Sequence, residues 1–251
     1  MGKGTRLPAW AQGLLGRQAV VTGASRGLGS AIAIYLAEAG ARVHAVARNA
    51  VDLQELADQN ANILPMVGDV TDPEFIADLG KLEIDILVNN AGMNRPLPIQ
   101  EVDPETLDRM LELNVRAAYL VAQAAVKSML AHGRGGSIIN ITSQMGHVGS
   151  PRRTVYCMTK HALEGLTKAM AVELAPHGIR ANSVAPTFIE TPMTKPMLDD
   201  PAFFSFVKGM IPMGKIGQVE DVAAAVLYLA SPASGMVTGT SLLVDGGWTA
   251  Q

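Results

Sequence analysis

The 251-residue sequence predicts an α/β fold: a doubly wound, seven-stranded parallel sheet flanked by helices in a single domain. Three observations carry that prediction. Short β-branched runs alternate with longer amphipathic ones along the chain, as successive right-handed βαβ units require. Most of the short runs are continuously apolar, the pattern of strands buried on both faces. A glycine-rich turn, V-V-T-G-A-S-R-G-L-G-S, joins the first strand to the first helix.

The first strand is expected at 19–22 and the helix after it at 27–39. A second strand at 42–47 leads into a helix at 50–60, and a third at 62–67 into a helix at 72–79. The fourth strand, 84–89, precedes a long helix at 104–132. Asp103-Pro104-Glu105 starts that helix, with an N-cap acid followed by proline at the first helical position. A fifth strand at 137–142, a helix at 154–175, a sixth strand at 180–184, a helix at 220–230 and a last strand at 241–244 complete the series. No composition shift, internal repeat or low-complexity segment divides the chain, so 1–251 is read as one domain. The segment 186–217, rich in Pro, Met and Phe, is expected to be a substrate loop or lid within it. It follows a strand's C-terminal end, where open α/β sheets bind ligands.

Composition narrows the function. Aromatic residues are 4% and the net charge is −3, which argues against a base-stacking or polyanion-binding surface. Cys157 is the single cysteine, so neither a disulfide framework nor a thiolate metal cluster is expected, and a cytoplasmic setting fits. No apolar run is long enough to span a membrane. The N-terminal segment lacks an apolar signal core, and Arg6 spoils the myristoylation pattern that Gly2 suggests.

Gly23, Gly27 and Gly29 sit at the first strand-to-helix turn. Glycines there let backbone approach a pyrophosphate, and the helix N-terminus offers N–H donors. The T-G-x-x-x-G-x-G spacing from Thr22 to Gly29 resembles the signature of the short-chain dehydrogenase/reductase family. That resemblance implies a Rossmann-like NAD(P)-binding domain with Gly23, Ser25, Arg26, Gly27, Leu28 and Gly29 against the cofactor. Ala47 stands where NAD-preferring relatives carry Asp, and Arg48 follows it. Loss of the acid removes repulsion against a ribose 2′-phosphate, which a guanidinium can grip bidentately. NADP(H) is therefore favoured, with NAD(H) as the alternative. By resemblance, Asp69 would bond the adenine, with Val70 beside it. Asn90, Ala91 and Gly92 would line the cofactor; Pro186, Ile189 and Thr191 would meet its nicotinamide end. Thr187 departs from the family's usual glycine, so the turn there is expected to differ.

V-Y-C-M-T-K places Tyr156 and Lys160 four apart, on one helix face. A tyrosine pKa near 10 is useless for a base at neutral pH, but a nearby ammonium and a cationic nicotinamide would lower it. Helices carry such pairs by chance, so context decides. Ser143 lies at the end of the fifth strand, and Asn114 sits in mid-helix, where Asn is mildly unfavourable and asks for a reason. Asn114, Ser143, Tyr156 and Lys160 match the family's tetrad in order and spacing. The similarity runs over 16–247 and includes A-x-E-L-A-P-H-G-I-R-A-N and V-T-G-T-S-L-L-V-D-G-G. It implies hydride transfer between nicotinamide and a secondary alcohol or ketone. Tyr156 would be the acid/base, Lys160 its pKa setter, Ser143 the oxygen's donor and Asn114 the holder of a relay water.

Substrate contacts are expected from Ser143, Gln144, Met145, His147, Arg152, Arg153 and Met193, with Phe203 on the loop. The arginines could bind a carboxylate or phosphate, or simply face solvent. No metal constellation is found. The end of the long helix, S-M-L-A-H-G-R, is poor in the basic residues that an acyl-carrier-protein dock would use. A catalytically silent cofactor sensor is the rival reading, and the intact Tyr–Lys pair argues against it. Family resemblance also implies a homotetramer or homodimer built on the two long helices.

Overall fold

A computed structural model describes residues 13–251; the reading of Gly2 and Arg6 lies outside them. Seven parallel strands form one sheet in the order β3-β2-β1-β4-β5-β6-β7. They are β1 Gln18–Thr22, β2 Arg42–Ala47, β3 Ile63–Val67, β4 Ile86–Asn89, β5 Gly136–Ile141, β6 Ile179–Pro186 and β7 Ser241–Val244. The order reverses between β1 and β4, whose register pairs Val20 with Leu87. A crevice opens at such a switch, beyond the strands' C-terminal ends.

Successive β1 residues point to opposite faces. Ala19 and Val21 enter a core with Ile32 and Leu36 of α1 (Gly27–Glu38) and with Val222 and Val226 of α9 (Val219–Ala230). Val20 enters the opposite core, with Val121, Ala125 and Met129 of α5 (Ala118–His132) and Met170 and Leu174 of α6 (Thr154–Leu174). A third, smaller cluster joins Met145, Phe188, Val207 and Ile211 under the loop after β6.

Polar residues set the helix starts. Asn49 accepts two N–H bonds at the head of α2 (Ala50–Ala57), Asp72 caps α3 (Pro73–Leu79), and Asp103 accepts from the Thr106 N–H at 2.6 Å in α4 (Pro104–Leu111). Two expectations need correction. The helix expected over 104–132 is α4 and α5 joined by a π-helical segment, Glu112–Ala117. The 186–217 segment is not irregular throughout: it contains α7 (Lys195–Leu198) and α8 (Pro201–Gly209), the latter started by Asp200 and Pro201.

Candidate active site

The cleft at the β1/β4 switch has a volume of about 1100 Å³. Its phosphate end is built from backbone. Asn90 donates from Nδ2 to the carbonyls of Thr22 (2.9 Å) and Gly23 (3.2 Å), while Thr22 Oγ1 accepts from the Asn90 and Ala91 N–H groups at 3.0 Å each. These bonds lock the β1 turn to the β4 end. Gly23 has φ +65°, and a Cβ on Gly29 would stand 2.2 Å from the Gly23 carbonyl oxygen. No side chain caps α1, and its first turn holds no acid. The open N–H donors and the close glycine backbone fit a pyrophosphate. Gly27, Leu28, Ser25 and Arg26 line the same wall.

At the adenosine end, Arg48 lies beyond Ala47 with its side chain 79% exposed, 3.5 Å from Asp69 Oδ2. Burial would raise the Asp69 carboxyl, but the Thr71 N–H and hydroxyl and the Arg48 guanidinium outweigh it and hold it below the ordinary carboxylate value. Arg26 and Val70 face the same space. At the opposite end, Ala91, Gly92, Pro186, Ile189, Thr191 and Met193 line the cleft. Thr187 lines it too, and the only non-glycine residue with positive φ among the described residues is Arg152. Thr187 thus takes the glycine's place without left-handed strain, and its N–H donates to Val244 O at 3.2 Å.

Tyr156, Lys160 and Ser143 meet at the cleft floor. Lys160 is 5% exposed, and Nζ donates to Ile141 O at 2.8 Å and lies 5.5 Å from the Tyr156 ring centre. Burial pushes its ammonium down to about 8, against the pull of Glu164. The expected lowering of Tyr156 is not what these side chains achieve alone. Burial pushes the phenol up to about 12, and the Ser143 hydroxyl and the Arg153 guanidinium pull it back only part-way. Tyr156 therefore holds its proton at neutral pH and is set up as a donor. Ser143 is itself fixed: its hydroxyl donates to Gln144 Oε1 at 2.7 Å and accepts from the Met145 N–H at 3.1 Å.

Asn114 lies in the π-helical segment, 1% exposed and outside the cleft lining. Oδ1 accepts from the Met93 N–H and Nδ2 donates to Met93 O, both at 2.8 Å, and Nδ2 also reaches Thr159 Oγ1 at 3.2 Å. It pins cleft-lining Met93 to the helix that carries Lys160. A π-bulge at such a point is a common functional device.

Of the eight expected substrate contacts, Ser143 and Met193 line the cleft, and Gln144, Met145, His147, Arg152, Arg153 and Phe203 stand outside its lining. Met145 is buried in the third apolar cluster. His147 turns away to Ser241 Oγ (2.9 Å) and Glu164 Oε1 (3.3 Å), because the buried Glu164 carboxylate offers it a partner. Arg153 is buried at 7% exposure, with Nη2 3.4 Å from Met197 Sδ, rather than lining the open cleft. Sequence reasoning missed Met93 and Thr194. Thr194 Oγ1 donates to Ile189 O and meets Thr191 Oγ1 at 3.0 Å, fixing the start of the loop. Among the described residues no group of three or more His, Cys, Asp or Glu side chains could hold a metal, and no helix is long and apolar enough to cross a membrane.

Residues 23–249 match the family described as Enoyl-(Acyl carrier protein) reductase. The chain is 42% identical to L-xylulose reductase of Mus musculus over 95% of this chain and 98% of that one. It is 41% identical to D-erythrulose reductase of Gallus gallus, covering 93% and 96%. A gluconate 5-dehydrogenase from Burkholderia cenocepacia J2315, solved with NADP and tartrate, superposes with a TM-score of 0.91 at 36% identity, over 96% of this chain and 98% of that one. With the glycine cradle and the Ser–Tyr–Lys floor in place, this similarity along the whole described chain makes the protein a member of the short-chain dehydrogenase/reductase family, NAD(P)-dependent oxidoreductases acting on CH–OH and C=O groups.

Proposed function

We propose that the protein is an NADP(H)-dependent reductase of a polyhydroxylated ketone, with Tyr156 as the proton donor. The observation that carries this is the Tyr156 phenol beside Ser143 on the cleft floor, with Lys160 Nζ 5.5 Å from its ring centre. The relatives' names, L-xylulose reductase and D-erythrulose reductase, support a sugar-like ketone. Bound nicotinamide supplies the hydride. Tyr156 and, once its hydroxyl rotates off Gln144 Oε1, Ser143 hold the carbonyl oxygen between two hydroxyl donors, which act most strongly as charge develops there. Tyr156 then gives its proton to that oxygen. Buried Lys160 supplies positive charge against the tyrosine left behind, and its Ile141 bond keeps it in place. Asn114 acts as a positioning residue through Met93 and Thr159.

NADP(H) is favoured because Arg26 and Arg48 face the adenosine end and Ala47 brings no acid. Arg134, near the end of α5, is occupied by Glu83 and Asp85, which speaks against docking of an acyl carrier protein there. The exposed Tyr119, Leu130, Met158 and Val172 on α5 and α6 support assembly as a homodimer or homotetramer. The lone, unpaired Cys157 supports a reducing, cytoplasmic setting. The test is a fluorescence titration of NADPH and NADH on wild type and Arg48→Ala. NADPH binding weakened about tenfold or more in the variant, with NADH unchanged, is expected. Preference for NADH in wild type would overturn the cofactor reading, and binding of neither would favour the silent-sensor alternative.

A further inference from the structure

Only three buried side-chain polar atoms among the described residues lack a hydrogen-bond partner: Asn94 Oδ1, Arg153 Nε and Thr187 Oγ1. Only Thr187 stands in the lining of the cleft itself; Arg153 contacts Met197, which packs with Tyr156 in the third apolar cluster. Asn94 follows cleft-lining Met93, and Arg153 lies one helical turn before Tyr156. The Leu97 N–H donates to Arg152 O at 3.1 Å, so the segment after Met93 runs beside the turn that carries Arg153.

Arg153 is the odd member. A guanidinium at 7% exposure normally faces a carboxylate, because a buried, unpaired charge is costly. Here no Asp or Glu among the described residues forms an ion pair with it, and residues 1–12 contain neither acid. Its present contacts are weak: Nη1 to its neighbour's carbonyl and Nη2 to a thioether, both at 3.4 Å. The residue before it, Arg152, has φ +61°, a conformation costing about 1–3 kcal/mol outside glycine. Strain of that kind at a site is retained where it aims a neighbour.

We infer that Arg153 is the anchor of an anion subsite, and that the substrate of the reductase carries a carboxylate on its polyhydroxylated chain, as a keto-aldonate does. Its Nε–H and Nη2–H edge has the spacing of two carboxylate oxygens. The arriving carboxylate replaces the Met197 sulfur, and the loop bearing α7 lies over the bound chain. Thr187 Oγ1 and Asn94 Oδ1 are then free to meet substrate hydroxyls. This deepens the ketone-reductase reading and rests on it.

The test has two arms. In the first, the NADP-loaded protein is titrated calorimetrically with tartrate, a dicarboxylate, and with threitol, its uncharged counterpart. Tartrate should bind about tenfold or more tightly than threitol, and Arg153→Gln should abolish that preference, with Arg153→Lys restoring part of it. In the second, NADPH oxidation is followed with 5-ketogluconate and with L-xylulose. Arg153→Gln should lower kcat/KM for the keto acid, chiefly through KM, about tenfold or more beyond its loss on the neutral ketose, where only the missing pull on Tyr156 is felt. Equal binding of tartrate and threitol to wild type would overturn the inference, as would an equal loss on both ketones in the variant. If neither ketone is reduced, the reductase reading fails, and the tartrate arm still decides the anion site.

Discussion

Replacing Lys160 with methionine should leave the cofactor-free protein no less stable at pH 7 while removing its activity. Lys160 is 5% exposed, and its burial brings the ammonium from the ordinary 10.5 down to about 8. At neutral pH the folded protein therefore bears a charge that the fold disfavours by about 3 kcal/mol. Methionine fills much of the same volume without that charge. The lost bond to Ile141 O returns about 1–3 kcal/mol of the gain. Glu164 keeps the Ser183 and Ser241 hydroxyls and His147 as partners. The cleaner signature is pH dependence. Between about 8 and 10.5 the unfolded chain still holds the lysine proton and the folded chain does not. Stability of wild type thus rises with pH through that window, and the penalty is largest below it. From pH 7 to pH 9.5 wild type should gain about 2 kcal/mol relative to Lys160→Met, measured by urea denaturation followed by circular dichroism without cofactor. Parallel pH curves, or a gain of opposite sign, would refute the reasoning. In the proposed mechanism the reaction uses that charge, so the lysine would be a stability cost carried for function.

Two further outcomes follow from the cleft's construction. Gly29→Ala places a Cβ 2.2 Å from the Gly23 carbonyl oxygen and 2.7 Å from Asn90 Nδ2, so the turn must open. A destabilisation of about 1–3 kcal/mol and a loss of NADPH affinity are expected, read by thermal melting and fluorescence titration. Asn114→Leu leaves the Met93 N–H and carbonyl without their partner, and urea denaturation should show a loss of about 2 kcal/mol or more.

The strands and the glycine turn were legible because both signals are local. Continuous apolar runs fix β1 and β4, and the spacing from Thr22 to Gly29 fixes the turn between them. Part of the cleft lining was legible for the same reason, since Asp69, Asn90 and Ile189 each follow a strand end and all reach the cleft. What was not legible depended on partners distant in sequence. His147 left the cleft because Glu164 and Ser241, on α6 and β7, claim its ring. Met145 was drawn under the loop by Phe188 and Val207. Nor does any spacing reveal the burial of Tyr156, which without cofactor raises its phenol more than Ser143 and Arg153 lower it. Two misses had signals in plain sight. Asp200-Pro201 carries the same start signal as Asp103-Pro104, and the unfavourable Asn114 marks the π-helical interruption of the long helix.

The central claim is that Tyr156 delivers the proton in an NADPH-dependent ketone reduction. Steady-state NADPH oxidation with a ketose substrate, on wild type and Tyr156→Phe, with NADPH affinity measured on both, tests it most directly. Unchanged NADPH affinity and a fall in kcat of about 10²-fold or more are expected. Retention of kcat within about threefold by Tyr156→Phe would contradict the account.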